Sequence, residues 1–419
     1  MNASTFKVAL RGLLRRKFFT FISLFGIAFT LVGILVGSAL IDHTVGSHAP
    51  ETRADRTLYV TEMKLSGPNW VNNSGAGFGF LDTEVRDLPG AERVSFYTMP
   101  SQAVSYVDGR RLSSFLKRTD GAFWKVLEFT FLEGGPLTED DDKNVNFVAV
   151  INASTRDRFF GGAKAAGKTI EIAGQRFRVQ GVVADVPITR FLVFSDVWVP
   201  IATMKGDAWR HDTLGNFGAL VLAKSPRDFP ALKAEFASRV KRHPIADPVH
   251  FTHLDGSLDT LFGSLARSSF DISASSESSV GMSAEAKLRI VLMVIAVLFM
   301  ALPAINLVNI NLSRILDRAP EIGVRKAFGA TSAVLVAQFV AENVLLTLIG
   351  GAAAAVIAAL VLAAINASGL IPYASLGVNL RVLGWGLAAA LFFGIASGVY
   401  PAWKMSRLHP AEAIRGHAS

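Results

Sequence analysis

Gly162-Ala163-Lys164-Ala165-Ala166-Gly167-Lys168-Thr169 spells G-x-x-x-x-G-K-[ST], a pattern whose backbone N–H groups and lysine can cradle nucleotide phosphates. That chemistry needs a strand before the glycines and a helix after them, so that the helix N-terminus faces the phosphates. Here the order is reversed. Ser154 to Phe160 carries the helical pattern, and the β-branched Thr169-Ile170-Glu171-Ile172 reads as a strand, so a glycine-rich turn is expected. The eight histidines are scattered and no H-E-x-x-H occurs. His250 and His253 lie on a segment read as a strand, Val249 to His253, without an acidic third ligand. No catalytic, cofactor-binding or metal-ligating residue is therefore assigned to this chain.

The elements that must position any function are membrane elements. The chain is 51% hydrophobic and 18% charged, with mean hydropathy +0.38, too apolar for an ordinary soluble protein of 419 residues. Apolar runs of membrane-crossing length occur at 18–41, 290–312, 333–364 and 382–402. Lys7, Arg11, Arg15, Arg16 and Lys17 precede the first run. Arg314, Arg318, Arg325 and Lys326 lie between the second and third, and Lys404, Arg407 and Arg415 follow the fourth. Basic residues close to a span stay on the cytoplasmic side, so both termini are expected inside and residues 42–285 outside. The first run exceeds the h-region of a cleaved signal peptide, and no small-x-small site follows it. With no Cys, the outer domain must hold together by its core. The pI of 9.7 largely reflects the cytoplasmic basic residues, and no nucleic-acid partner is expected.

Residues 1–17, with Phe6, Leu10, Leu13 and Leu14 at helical spacing, read as an amphipathic helix in the inner interface. Outside, Thr57 to Met63 and Val94 to Tyr97 read as strands around a short helix marked by Leu81, Val85 and Leu88. Ala219 to Ala223 reads as a strand before a helix with Phe229, Leu232, Phe236 and Val240 on one face. The expectation is an α+β domain with one lobe from 55–114 and 191–254 and a second, 115–190, inserted in it. The insert holds a strand at Asn146 to Ile151, the helix Ser154 to Phe160 with Ser as N-cap, and a hairpin turned at Ala173-Gly174. The Ser-rich 255–285 reads as a stalk.

The cytoplasmic loop 313–332 carries a short helix. Pro320 and Glu321 favour its start, Arg325 and Lys326 its end, and Gly329 its termination. Val324, Ala327 and Phe328 form a small apolar face on a helix too short to be stable without a docking partner. Glu342 lies about 13 Å into the third run at 1.5 Å per residue, where it either contacts polar groups of the protein or reaches back to the interface. Asn306 and Asn309 suit interhelical hydrogen bonds, and Asn311 the interface.

Glu321-Ile322-Gly323-Val324-Arg325-Lys326-Ala327-Phe328-Gly329-Ala330, Gln338 to Asn343, Gly350-Gly351 and the tail Gly398 to Arg415 resemble the MacB/FtsX family of ABC transporter permeases. The outer segment resembles that family's MacB-like periplasmic core, in which Phe159 to Ile170 is a turn into a strand. Pro320 departs from the polar residue usual before the Glu. The resemblance implies a dimer of identical or paralogous four-helix subunits in the bacterial inner membrane, multi-pass with cytoplasmic termini 1–17 and 403–419. It implies Glu321 to Ala330 as the helix coupling to a cytoplasmic ABC ATPase on another polypeptide, with ATP and Mg bound there. The task would be mechanotransmission to the outer domain, either for efflux through a periplasmic adaptor and outer-membrane channel or for envelope signalling or lipoprotein handling. A membrane receptor is the reading from another class, but no cytoplasmic segment is long enough for an output domain.

Overall fold

No charge interrupts Phe18 to Ile41, and only a helix satisfies backbone groups inside such a run. In the computed structural model, which describes residues 17–107, 110–270, 282–317, 324, 328, 331–371 and 376–406, it forms helix α1 (Lys17–Val45). The proposed helix over 1–17 thus falls almost wholly outside the described residues.

The outer segment is built on strands β1 (Thr57–Val60), β2 (Met63–Ser66), β3 (Val71–Ala76), β4 (Ala91–Thr98), β5 (Ser101–Val107), β6 (Arg110–Thr119), β7 (Phe131–Gly134) and β8 (Val148–Asn152). Helix α2 (Ala153–Phe160) leads to β9 (Thr169–Ile172), β10 (Gln175–Val183), β11 (Val197–Pro200), β12 (Leu214–Gly215) and β13 (Phe217–Ala223). Helix α3 (Phe229–Arg242), β14 (His253–Gly256) and α4 (Leu261–Phe270) complete the domain. Among the described residues the strands form one sheet with the main path β14-β2-β3-β13-β4-β6-β11-β8-β10-β7. The ranges 55–114 with 191–254 and 115–190 therefore share one sheet. They are joined where β11 pairs parallel with β6, Val197 opposite Leu116, and antiparallel with β8.

The core is correspondingly continuous along the sheet. Leu58, Phe80, Phe96, Val221 and Phe236 pack at one end, and Ile151, Ile170, Phe177 and Val197 at the other. Tyr59, Tyr97, Phe123, Trp198 and Leu220 fill a third cluster drawn from both ranges. Leu232, Phe236 and Val240 are the buried stripe of α3, as their spacing requires.

Four local expectations change. Thr57 to Met63 is split between β1, paired with β13, and β2, paired with β3 and β14. The strand expected at Val249 to His253 begins only at His253, because Asp247 Oδ1 accepts the N–H groups of Val249 and His250, both at 3.2 Å, and turns the chain there. The cap of α2 is Asn152, whose side chain accepts the Thr155 N–H at 2.8 Å, while the Ser154 hydroxyl donates to Asp185 at 2.8 Å. Part of the expected stalk is helical: α4 lies within it, and 271–281 fall outside the described residues. The Ala173-Gly174 hairpin turn forms as expected, with φ of 51° and 68°, the left-handed pair a two-residue turn needs.

Three long helices follow: α5 (Ala284–Asp317), α6 (Ser332–Ser368) and α7 (Leu380–Ser406). Among the described residues, two stretches are long and apolar enough to cross a membrane, Thr20–Thr44 and Val340–Ser368. The helical unit packs through small residues. Ile27, Ala28 and Leu31 of α1 cluster with Ala354 of α6, and a Cβ added at Gly350 would lie 2.9 Å from Ile27 Cγ2. The chain divides into two compact units, this one and the outer domain of residues 43–289, which also takes in 369–375.

Candidate functional site

The loop between α5 and α6 holds the residues singled out for coupling. Val324 and Phe328 are described. The Phe328 N–H donates to the Val324 carbonyl at 3.1 Å, one turn of helix, and the two side chains are 49% and 88% exposed. Among the described residues nothing covers this ring, an exposed aromatic side chain beside a second apolar one. Glu321, Ile322, Gly323, Arg325, Lys326, Ala327, Gly329 and Ala330 lie outside the described residues.

Of the intramembrane polar candidates, Asn306 and Asn309 lie on α5, their side chains outside the described residues. Glu342 lies on α6 and is 3% exposed, next to the equally buried Asn343, whose carbonyl accepts the Thr347 hydroxyl at 2.9 Å. Glu342 is thus turned into the helical unit.

The glycine-rich loop Gly162 to Thr169 runs from α2 into β9, with Gly161, Gly162 and Gly167 at positive φ. Its backbone donors already hold an anion. The N–H groups of Ala165 and Ala166 donate to Glu133 Oε2 at 2.9 and 3.0 Å, and Arg156 lies 3.5 Å from the same carboxylate. The Gly167 N–H donates to the Val179 carbonyl, and the Lys168 ammonium lies over the Phe160 ring at 5.1 Å. The loop spends its phosphate-like geometry on an internal carboxylate. His250 Nδ1 is 2.7 Å from Asp247 Oδ2, and His253 is near Thr252; among the described residues no group of three or more His, Cys, Asp or Glu could hold a metal.

Sequence reasoning missed a buried charge cluster just beyond α1. Arg190 and Glu51 form an ion pair at 2.8 Å with both side chains 1% exposed. The same guanidinium donates to the carbonyls of Gly46 and His48 at 3.1 and 3.3 Å, and the Tyr59 hydroxyl donates to Glu51 at 3.1 Å. Burial pushes the Glu51 carboxyl above its usual value, with Arg190 and Tyr59 pulling it back. The fully buried Lys117 donates to the carbonyls of Leu192 and Thr98 at 2.8 and 3.2 Å and lies 4.9 Å from the centre of the Tyr97 ring. Burial pushes its amine well below the usual lysine range, against the Glu51 charge. The partners Arg190 and Glu51 are 139 positions apart, so no local spacing could have announced them.

An outer α+β domain following an apolar helix, with an exposed turn between later long helices, fits the layout of a transporter permease. The family models agree: the MacB-like periplasmic core domain matches residues 20–239, more than half the chain, and the FtsX-like permease C-terminal matches 293–410. The chain belongs to this family of ABC transporter permeases. Among relatives, it is 25% identical over 411 residues to the pyoverdine export ATP-binding/permease protein PvdT of Pseudomonas aeruginosa, covering 94% of this chain and 57% of that protein. It is 26% identical over 432 residues to the ABC transporter permease YknZ of Bacillus subtilis, covering 98% of each. The chain thus spans little more than half the length of the PvdT relatives. The solved periplasmic region of MacB from Actinobacillus actinomycetemcomitans aligns with 44% of this chain and 83% of that one, at 17% identity and TM-score 0.34.

Proposed function

We propose that this permease is a four-span, inner-membrane subunit of the mechanotransmission type, with cytoplasmic termini, driven by an ABC ATPase on another polypeptide and acting with a second permease copy. ATP and Mg are bound on that ATPase. The observation that carries the reading is the turn at Val324 and Phe328, with its ring 88% exposed between two long helices. ATPase closure presses on this turn. Since α5 runs as helix from Ala284 to Asp317, with Pro303 omitting one rung of its hydrogen-bond ladder, the push is carried along one element to residue 284. Glu321, Arg325 and Lys326 supply the charged contacts around the apolar knob, and Asn306, Asn309 and Glu342 hold polar contacts among the helices. The work is done on the outer domain, and efflux of a periplasmic substrate with a periplasmic adaptor and outer-membrane channel is the favoured task, as the export names of PvdT and its relatives support. Envelope signalling or lipoprotein handling is the second use of the same movement.

The test is Arg325→Glu with Lys326→Glu in the full chain. Pull-down of the cognate ATPase and permease-stimulated ATP hydrolysis should both fall about tenfold or more, the effect of roughly 1.4 kcal/mol lost at an interface. Wild-type pull-down and stimulation would remove the coupling assignment.

A further inference from the structure

A cavity of about 330 Å³ opens wholly within the outer domain, on residues unrelated to the coupling turn. Its apolar wall is Met99, Phe191, Leu192, Leu261 and Leu265, with Phe191 and Leu265 among the large apolar side chains the domain leaves exposed. Its volume falls in the range of small-molecule sites, which combine apolar walls with a few convergent polar groups. Three observations define those groups. Thr189 lines the cavity, but its hydroxyl oxygen is buried beneath the surface, without a hydrogen-bond partner among the described residues. The Thr61 and Ser264 hydroxyls face each other at 2.7 Å and satisfy one another. Of the charged lining residues, Arg190 and Glu51 neutralise each other, whereas the exposed Glu62 is in no ion pair among the described residues. The cavity thus presents an apolar wall and one uncompensated carboxylate. It is also lined by Thr44, the last residue of the apolar stretch Thr20–Thr44.

We infer that this cavity binds a small amphiphilic cation, an apolar molecule bearing one amine, with the ammonium at Glu62 and the apolar body against Phe191, Leu192 and Leu265. An anion of the same shape meets the Glu62 carboxylate and is rejected. A neutral analogue keeps only the apolar contacts. Binding of this kind needs no ATPase, so the inference stands independently of the coupling mechanism.

The chain has no cysteine, which makes the site readable by labelling. Ser264→Cys, and separately Ser268→Cys on the adjoining turn of α4, are introduced into the full chain in phosphatidylcholine nanodiscs, and the rate of modification by N-ethylmaleimide is measured. The probes are 1-naphthylmethylamine, 1-naphthalenemethanol and 1-naphthoate. The expected result is that the amine slows labelling at about fivefold lower concentration than the alcohol, the size of one partly exposed ion pair, and that the carboxylate does not slow it. Glu62→Gln should bring the amine to the alcohol's level, and labelling of Val249→Cys on the exposed surface should be unaffected by all three. Failure of every probe to protect either cysteine overturns the site. Equal protection by amine and carboxylate overturns the cation assignment, and equal protection at Val249→Cys assigns the effect to the bilayer and overturns both.

Discussion

Arg190 illustrates why single residues in this chain carry more than their type suggests. Its guanidinium is spent on a buried carboxylate and on two carbonyls of the segment leaving α1, so its removal strands Glu51 in the core. Arg190→Met should cost about 3–5 kcal/mol, the penalty for a buried unpaired charge. Thermal unfolding of the intact protein in detergent checks this, and adding Glu51→Gln should recover much of the loss. Asp120 gives a separate pH signature. It is buried and accepts the Ser95 hydroxyl and the N–H groups of Phe96 and Phe123 at 2.8–2.9 Å, yet burial pushes its carboxyl from 3.8 up to about 6. Its folded form therefore binds a proton that the unfolded chain releases between those values. The contribution of Asp120 to stability falls as pH rises from about 4 to 6, by about 3 kcal/mol in total. Asp120→Asn should remove that slope, read as the difference between wild-type and variant unfolding across the window. Neither Arg190, Glu51, Lys117 nor Asp120 was legible in the sequence. Charged types read as surface until long-range contacts, β6 pairing with β11 and Lys117 and Arg190 reaching distant carbonyls, enclose them.

At the scale of elements, legibility followed periodicity. The long helices and α3 were readable because burial of an apolar stripe or run fixes them, and the order helix, glycine turn, strand around Gly162 to Thr169 was readable from the helical pattern before the glycines and the β-branched run after them. What was not readable was set by single hydrogen bonds: Asn152 rather than Ser154 caps α2, and Asp247 delays β14 to His253. The partner of the glycine loop, Glu133, comes from β7, 32 positions from Ala165. Close helix approach is the other device invisible to hydropathy. Gly350 faces Ile27 of α1, so Gly350→Leu should lower the stability of the helical unit by about 1–3 kcal/mol through overpacking. Gly384→Leu on α7, where an added Cβ meets nothing within 4 Å, should be near neutral in the same thermal assay.

At the scale of the whole molecule, the P-loop spelling and the candidate coupling turn fall in different compact units. The P-loop spelling at Gly162 to Thr169 lies in the outer domain and holds Glu133, while the open ring of Phe328 stands between α5 and α6 in the FtsX-like part of the chain. Under the proposed coupling, the motor is a partner's and the turn at Val324 and Phe328 is the contact surface for it. The proposed topology, with residues 42–285 outside, is checked by a cysteine at Asp140, which should react with a membrane-impermeant maleimide added from outside and be silent to one confined to the cytoplasm. The most direct test of the central claim uses the absence of native cysteine. Phe328→Cys in the full chain, carrying a short bifunctional maleimide and mixed with the cognate ATPase, should yield a permease–ATPase cross-link whose amount changes when ATP is bound. A cross-link no stronger than that from Val249→Cys would contradict the account.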